Sequence, residues 1–355
     1  MRILQVCPIY GSEIGGVSEH VINISERLAT KHEVVVYSTD PSGKFAKKEI
    51  INLVEVNRFK AYAPNNLYFF SRALEKNLAT DCGSFDIVHA HSYHAFPALY
   101  AARKKNRNKL IFTPHYHGHG HTFFRNLLHT PYKFVAKKIL DVSDCVICVS
   151  EYERSLLTKN FKIDQKKIVV IPNGINQADY VNMKKHKQDQ KTILYVGRLE
   201  KYKGVQYLIR VLPELGSNIS LQIVGSGSYA NSLSNLTRKL GVTKRVTFFH
   251  DLPRKELLRK FADASIFSLL STYEAYGLVV AEALASKTPC LVTKTSALTE
   301  WIDEKNCFGI DYPVDIKTLG KQINAVIGRE ITGVLPPDWN DIVKQLEYVY
   351  STTFA

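Results

Sequence analysis

The sequence predicts an α/β protein made of two doubly wound domains in tandem. Short apolar segments rich in valine and isoleucine alternate with amphipathic stretches, as in parallel sheets that helices cover on both faces. The alternation stops once, in a polar segment with turn residues over 172–191, and then starts again. A chain of 355 residues has room for two domains of ordinary size.

In the first half, six segments predict strands, and in chain order they read RILQVCP, EVVVYST, IVHAH, LIFTP, CVICVS and KIVVIP. Helical stretches lie between them, such as GVSEHVINISERLAT and EYERSLLTKNF. In the second half, helices separate five further predicted strands: TILYVG, SLQIVG, RVTFF, SIFSLL and PCLVT. The last segment predicts an amphipathic helix that must pack on one of the two domains, through a face made of Trp339, Ile342, Leu346 and Val349.

The composition is that of a folded protein, with 45% apolar and 11% aromatic residues. No segment approaches the roughly 20 apolar residues that a membrane-spanning helix needs, and the start MRILQVCPIYG predicts a strand rather than a secretion signal. The expected location is therefore the cytoplasm. Six cysteines are scattered, and Cys145 and Cys148 lie within a strand-like segment, which favours buried thiols over a zinc or redox site.

The formal net charge is +14, of which residues 1–175 carry +9 and residues 176–355 carry +5. Such an excess favours an anionic partner, either a nucleotide, a phospholipid surface or a nucleic acid. A basic surface without a specific partner is the alternative. Because the basic residues are dispersed and no aromatic RNA-binding signature accompanies them, a nucleic acid is the least favoured partner.

Arg198 and Lys203 follow the first strand of the second half, in VGRLEKYKGVQYL. Ligands of open α/β sheets bind beyond the carboxyl ends of the strands, so two cations there can neutralise a diphosphate. A solvated charged loop is the alternative.

Two glycine-rich turns can also bring backbone amides to a ligand. Gly15 and Gly16 lie between the first strand and the first helix, where amides suit a phosphate or a sugar hydroxyl, although an ordinary turn is the alternative. Gly225 opens GSGSYA, a spacing found at dinucleotide sites. No acidic residue ends the next strand at the distance that NAD sites require, so this turn predicts contact with a phosphate or a nucleoside instead.

Glu274 and Glu282 are separated by seven residues, with Gly277 and Leu278 at the start of a predicted helix. Two carboxylates eight positions apart on one helix would be about 12 Å apart, too far for an acid/base pair. We therefore expect Glu274 in the loop before the helix and Glu282 one to two turns inside it, with the helix N-terminus facing an anion. Apolar residues flank Glu282, so it needs a partner, either vicinal ribose hydroxyls or an arginine elsewhere in the core.

Four histidines alternate with other residues in TPHYHGHGHTF, namely His115, His117, His119 and His121. Such a string can ligate zinc, but Gly118 and Gly120 interrupt it and favour a loop without the fixed geometry of a zinc site. No metal is therefore predicted. His115 is the expected active-site residue, and His117 is a candidate second contact. A hydrolase with a metal at His89, His91 and His94 of HAHSYH is a further alternative.

Nine motifs together resemble the large retaining glycosyltransferases of family 4, the group 1 type with the GT-B fold. In order they are GGVSEHVINISERLATKHEVVVYST, FDIVHAHS, FTPH, ICVSEYER, VIPNGIN, YVGRLEKYKG, IVGSGSY, EAYGLVVAEALA and ALTEWI. The resemblance covers nearly the whole chain. Its most specific element is the pair Glu274 and Glu282 in company with Arg198 and Lys203.

The resemblance implies two Rossmann-like domains that face each other across a cleft. Residues 1–172 would bind the acceptor, residues 173–337 would bind the sugar-nucleotide donor, and the final helix over 338–355 would pack back onto the first domain. The anomeric configuration would be retained. The nucleotide sugar would be a co-substrate, and no metal or other cofactor would be essential.

The resemblance also implies roles for the residues. Arg198 and Lys203 would hold the donor diphosphate, while Glu282 would bind the ribose. Glu274 would contact the transferred sugar, and His115 would lie near that sugar. The catalytic residues would thus be His115, Glu274, Arg198 and Lys203. The residues that bind the donor would be Gly15, Gly16, Arg198, Lys203, Gly225, Gly277, Leu278 and Glu282.

The predicted function is transfer of a hexose-type sugar from a UDP- or GDP-linked donor to a saccharide or lipid-linked acceptor. The basic N-terminal half suggests peripheral contact with an anionic membrane, on the inner face of the cell membrane. A sugar-nucleotide epimerase of the same architecture and a basic nucleic-acid-binding protein are the alternatives. The chain departs from the family pattern at Lys287, Ser296 and Ala297, where glycine is usual, and these departures concern the identity of the donor.

Overall fold

The structure, a computed structural model, describes residues 1–11, 15–64, 68–118, 123–181, 183, 186 and 190–352. Side chains are described in all of these ranges except at 123–131. The chain divides into an N-terminal unit, Met1–Asn173 with Trp339–Ala355, and a C-terminal unit, Gly174–Asp338. These bounds differ by one residue from those drawn from the sequence.

In chain order, the strands are β1 (Arg2–Val6), β2 (Glu33–Asp40), β3 (Lys48–Ile51), β4 (Val54–Lys60), β5 (Ile87–His91), β6 (Lys109–Thr113), β7 (Cys145–Cys148), β8 (Ile168–Val170), β9 (Lys191–Val196), β10 (Ile219–Val224), β11 (Val246–Phe249), β12 (Ile266–Leu269), β13 (Cys290–Thr293) and β14 (Cys307–Ile310). The helices are α1 (Gly16–Leu28), α2 (Arg72–Asp81), α3 (Phe96–Arg103), α4 (Phe123–Val142), α5 (Glu151–Phe161), α6 (Val205–Val211), α7 (Ala230–Lys239), α8 (Arg254–Asp263), α9 (Leu278–Ala285), α10 (Ile316–Val326) and α11 (Trp339–Thr352).

The sheet of the N-terminal unit has the strand order β3-β4-β2-β1-β5-β6-β7-β8. Neighbouring strands are parallel, except for the antiparallel pair of β3 and β4 at one edge. Strand β5 is buried over its full length. Continuous burial of this kind explains why the inner strands read as unbroken apolar segments, since helices cover both faces of the sheet.

The final helix α11 belongs to the N-terminal unit. All four residues of its predicted apolar face are buried, and they share a core cluster with Val21, Ile24 and Leu28 of α1. Near its end, the hydroxyl of Tyr350 lies 2.7 Å from Nδ1 of His89 on β5. The N-terminal unit is therefore built from both ends of the chain.

The C-terminal unit contains a six-stranded parallel sheet in the order β11-β10-β9-β12-β13-β14. Its core includes buried residues from β9, β10, β12 and β13. Helix α10 begins at Ile316, where the side chain of Asp315 accepts a hydrogen bond from the amide of Thr318.

Each sheet contains one point at which the direction of strand addition reverses. This point lies between β1 and β5 in the N-terminal unit and between β9 and β12 in the C-terminal unit. Open α/β sheets bind their ligands beyond the carboxyl ends of the strands at such a point. The topology therefore marks one candidate ligand position in each unit.

The predicted doubly wound architecture is present in both units, and the predicted buried thiols are confirmed because all six cysteines are free and buried. Three strands were missed by the sequence pattern: β3 and β4 of the edge pair, and β14 at the opposite end of the second sheet. In the described part of the chain, no helix combines the length and hydropathy needed to cross a bilayer.

Candidate functional site

In the C-terminal unit, an ion pair lies at the point where the strand order of the sheet reverses. Lys203 follows β9, Glu274 follows β12, and the Lys203 Nζ atom lies 2.6 Å from Oε1 of Glu274. Both side chains are largely buried, with 13% and 14% of their surface exposed. The hydroxyl of Ser271 donates a second hydrogen bond, of 2.7 Å, to the same carboxylate oxygen. The carboxylate is thus held by two donors at the position where a ligand is expected.

Burial and the carboxylate act on Lys203 in opposite directions. Burial is the largest single effect and lowers the pKa of the ammonium group, but Glu274 and Tyr202 together raise it, so the pKa of Lys203 lies above its usual value. Lys203 is therefore a cation at neutral pH. Arg198 lies in the loop just after β9, is exposed, and donates a hydrogen bond of 2.9 Å to the hydroxyl of Tyr202.

Helix α9 begins at this position. Gly277 precedes Leu278, the first helical residue, and adopts a left-handed conformation with φ of +94° that favours glycine. Glu274 lies in the loop before the helix and Glu282 is its fifth residue, as expected from their spacing. A helix N-terminus of this kind suits an anion.

Glu282 is 7% exposed and binds an arginine. Its Oε1 atom accepts a hydrogen bond from Nη1 of Arg254, at the start of α8. The same guanidinium donates to the hydroxyl of Tyr180, at 3.1 Å, and lies 3.4 Å from a carboxylate oxygen of Asp179. Of the two partners expected for Glu282, the structure shows the arginine. Binding of a ribose by Glu282 stays a prediction.

Gly225 and Gly227 shape the turn after β10. A Cβ atom on Gly225 would lie 2.0 Å from the carbonyl oxygen of Gly197, and one on Gly227 would lie 2.4 Å from that of Leu199. The turn after β10 therefore packs against the backbone of the segment that carries Arg198. This close approach explains the glycines, whatever ligand the turn contacts.

In the N-terminal unit, three histidines meet at the reversal point of the sheet. His20 lies on α1, His91 ends β5, and His115 follows β6, with ring centroids 5.0–6.1 Å apart. Burial holds the pKa of all three below the usual value, to about 4 for His20. The three rings are therefore neutral at pH 7. His117 lies beyond this group and packs on the ring of His94.

Glu153 fixes the backbone beside His115. Its two carboxylate oxygens accept hydrogen bonds from the amide of Tyr116 and, at 2.7 Å, from that of Val149. Burial raises the pKa of Glu153 to about 8, against the two hydrogen bonds, which lower it. Through these bonds Glu153 joins the segment that follows His115 to the end of β7.

Replacing Glu153 with alanine should lower the free energy of unfolding of the N-terminal unit by about 3 kcal/mol or more. Two buried amides would lose their acceptor, at about 1–3 kcal/mol each. Urea unfolding can be followed by the fluorescence of Trp339 in a Trp301→Phe background, because these are the only two tryptophans. The exposed neighbour Glu151, paired with Arg154, is the control, and Glu151→Ala should cost less than about 0.5 kcal/mol. Equal costs would contradict the role of Glu153.

Gly15 and Gly16 begin helix α1. Gly15 is extended, with φ of −168°, and among the described residues no atom lies within 4 Å of a Cβ built at either glycine. Packing within the described residues therefore does not explain why these positions are glycine. Contact with a ligand stays a prediction. His119 and His121 lie outside the described residues.

Two family profiles together span most of the chain. The profile described as Glycosyltransferase Family 4 matches residues 14–179, and the profile described as Glycosyl transferases group 1 matches residues 176–332. The glycogen synthase of Mycobacterium tuberculosis is 30% identical to this chain, over 92% of this chain and 86% of that protein. This chain is a family 4 glycosyltransferase.

Two further proteins extend the comparison. The alpha-monoglucosyldiacylglycerol synthase of Streptococcus pneumoniae is 27% identical, over 96% of this chain and 80% of that protein. The solved structure of HepE from Anabaena in complex with UDP-glucose superposes with a TM-score of 0.80, at 18% identity, over 99% of this chain and 100% of that one. The fold is therefore shared, and the predicted GT-B class and family are confirmed.

Two of the positions at which this chain lacks the family's usual glycine have a backbone conformation that favours glycine. Lys287 and Ser296 both adopt left-handed conformations, with φ of +56° and +52°, although neither is glycine. The side chain of Ser296 holds the loop that carries Glu274, because its hydroxyl accepts a hydrogen bond of 3.0 Å from the amide of Glu274. A glycine could not hold the loop of this glycosyltransferase in that way.

Sequence reasoning missed several residues of these clusters. Arg254 was expected only as an unplaced arginine, and His20 was not considered for any role. His91 was considered only with His89 and His94 as a metal site, yet both ring nitrogens of His89 are hydrogen-bonded, to Tyr350 and to Thr113. The sequence pattern singled out histidines that follow one predicted strand, β6. The fold instead brings together one histidine from α1, one from the end of β5 and one from the segment after β6.

Proposed function

We propose that this glycosyltransferase moves a hexose from a UDP- or GDP-linked donor to a saccharide or lipid-linked acceptor, with retention of the anomeric configuration. The observation that carries the proposal is the buried Lys203–Glu274 pair beside Arg198, at the reversal point of the sheet. A cation and a carboxylate at that position suit the two parts of a sugar nucleotide, its diphosphate and its sugar hydroxyls.

In the proposed reaction, the bond between the anomeric carbon and the diphosphate oxygen breaks, and negative charge grows on the leaving phosphate. Lys203 and Arg198 would stabilise this charge, Lys203 as a point charge and Arg198 as a planar fork. The acceptor oxygen forms the new bond to the anomeric carbon. Its proton passes to the leaving phosphate. In this proposal the acceptor attacks on the face from which the phosphate leaves, so that the configuration is retained without a covalent intermediate.

The carboxylates would hold the sugars of the donor. Glu274 would accept hydrogen bonds from hydroxyls of the transferred hexose, while Ser271 keeps the carboxylate in place. Glu282 would accept from the ribose hydroxyls, and for this the donor must displace Arg254 or share the carboxylate with it. The amides at Gly277 and Leu278 would face the diphosphate, and the turn at Gly225 would face the nucleoside.

In the N-terminal unit, the amides at Gly15 and Gly16 would line the diphosphate and His115 would lie near the donor sugar. The basic first half of the chain supports an acceptor on an anionic membrane, on the inner face of the cell membrane. The S. pneumoniae relative is named as a synthase of alpha-monoglucosyldiacylglycerol, which is a glycolipid. Anionic vesicles should then raise the rate of transfer and sediment with the protein at low salt. No change in either would remove the membrane part of the proposal.

A panel of sugar nucleotides tests the donor. A true donor present at 100 times its Kd should stabilise the protein by about 2.7 kcal/mol, measured as a rise in melting temperature. The stabilising donor is then incubated with saccharide and lipid-linked acceptors, and the anomeric configuration of the product is read by NMR. Absence of stabilisation by every UDP- and GDP-sugar, or a product of inverted configuration, would contradict the proposal.

The same donor incubated without acceptor separates transfer from epimerisation. A transferase should leave the sugar nucleotide unchanged, or hydrolyse it slowly. Rapid conversion to its epimer would favour the epimerase instead.

A further inference from the structure

The three histidines of the N-terminal unit offer one ring nitrogen each to a common point. His20 and His91 are 1% and 0% exposed, and His115 is partly buried. One nitrogen of each ring lies within 4.8 Å of the other two. His20 is contributed by a helix and His91 by a strand end, so rigid elements hold two of the three rings.

The hydrogen bonds of two rings indicate which nitrogen is available. Nδ1 of His20 lies 2.7 Å from the side-chain oxygen of Asn173, and Nε2 of His91 lies 2.8 Å from that of Gln5. Because an amide oxygen only accepts, each of these ring nitrogens carries the proton. The opposite nitrogen of each ring then has a free lone pair.

Each of the three histidines has one buried ring nitrogen without a hydrogen-bond partner among the described residues: Nε2 of His20, Nδ1 of His91 and Nε2 of His115. A buried polar atom without a partner is costly, so such atoms are rare in folded proteins. Three in one place call for a shared ligand that accepts lone pairs. A metal cation is the simplest such ligand.

We propose that His20, His91 and His115 form a binding site for one zinc-class divalent transition-metal ion. Neutral imidazole suits zinc, copper, nickel and cobalt, whereas magnesium and calcium prefer oxygen ligands. Three histidines with a fourth position open to solvent are a known arrangement for zinc.

The distances are compatible with this assignment. A tetrahedral zinc ion with bonds of about 2.0–2.1 Å places its ligand nitrogens about 3.3 Å apart. The nitrogens lie within 4.8 Å of one another, so binding of one ion would draw them together by at most about 1.5 Å. Asn173 and Gln5 would act as the outer partners that orient metal-bound histidines in other proteins.

This site is not the one rejected from the sequence. The alternating string contributes only His115, and the other two ligands come from α1 and β5. The site lies wholly within the N-terminal unit, and it shares His115 with the proposed donor site. The proposal concerns binding of the ion and does not require that transfer depend on it.

Metal binding to the full chain tests the proposal. The protein is stripped with a chelator and titrated with Zn²⁺ against a chromophoric competitor, and separately with Co²⁺ followed by visible absorption. We expect one Zn²⁺ per chain and a Co²⁺ absorption band that Zn²⁺ abolishes. His20→Gln and His91→Gln should each weaken binding by about 100-fold or more. The exposed His186 is the control, and His186→Gln should bind as the wild type does.

A second pair of variants keeps the test decisive if a histidine variant fails to fold. Asn173→Ala removes the acceptor of His20 and should weaken Zn²⁺ binding by about 10–100-fold. Asn173→Asp keeps an acceptor and should bind Zn²⁺ at least as tightly as the wild type. Substoichiometric binding by the wild type would overturn the proposal. So would equal binding by Asn173→Ala and Asn173→Asp, or by folded His20→Gln and the wild type.

Discussion

Replacing Lys203 with alanine should lower kcat/KM for sugar transfer by about 10²–10³-fold, the usual cost of losing one donor aimed at developing charge. The ammonium group lies 2.6 Å from Glu274, at the position proposed for the donor. It is charged at neutral pH because, although burial lowers its pKa, Glu274 and Tyr202 together raise it above the usual value. We expect the loss mainly in kcat, since the charge on the phosphate is greatest in the transition state. Glu274→Ala should nearly abolish transfer as well.

A matched control distinguishes the effect of the Lys203 charge from that of the other positive charges in the loop. Lys201 lies two residues earlier, is exposed, and belongs to the same short turn, so Lys201→Ala should keep nearly full activity. A Lys203→Ala protein that keeps wild-type kcat/KM would break the assignment of the site.

The same substitution also affects folding, and the two effects need separate readouts. Removing one member of a buried ion pair leaves the other charge without its partner, at roughly 3 kcal/mol. Lys203→Met combined with Glu274→Gln removes both charges, so this double variant should recover much of the stability lost in Lys203→Met alone. Its activity should stay low. Recovery of activity together with stability would mean that the pair serves only the fold.

Replacing Gly225 with alanine should destabilise the C-terminal unit by about 3 kcal/mol or more. The new Cβ atom would lie 2.0 Å from the carbonyl oxygen of Gly197, and a backbone atom cannot move aside as a side chain can. The φ of +139° is in addition a conformation that residues other than glycine rarely adopt. Overpacking and strain therefore act together.

Gly241 provides the comparison for this prediction. It is also left-handed, with φ of +68°, but among the described residues no atom lies within 4 Å of a Cβ built there. Gly241→Ala should therefore cost only about 1–2 kcal/mol, the cost of the conformation alone. Hydrogen exchange by mass spectrometry can compare the two variants, with peptides from β9 and β10 as the readout. Similar protection from hydrogen exchange in both variants would show that the close approach to Gly197 does not contribute to the loss of stability.

The sequence predicts best what depends on local pattern. Strand β5 and helix α11 were both identified, because continuous burial and a helical face leave direct traces in the order of residues. Strands β3 and β4 were missed because the prediction relied on continuous apolar segments. Strand β3 alternates exposed with half-buried residues, and β4 alternates buried with half-buried ones, so neither contains such a segment.

The pairings within the site were beyond the reach of local pattern. Lys203 and Glu274 were each singled out, but they are 71 positions apart, and only the order of strands brings them together. Arg254 and Glu282 are 28 positions apart and meet because α8 and α9 pack against each other. Residue types in a motif indicate chemistry, whereas the tertiary fold decides which groups are in contact.

The place of α11 has a consequence for synthesis of the chain on the ribosome. One of the two core clusters of the N-terminal unit contains Trp339 and later residues of α11, so this cluster stays incomplete until α11 has been translated. The C-terminal unit has no such requirement, because Gly174–Asp338 is continuous. The C-terminal unit can therefore finish folding before the N-terminal unit does, although translation begins with the N-terminal unit.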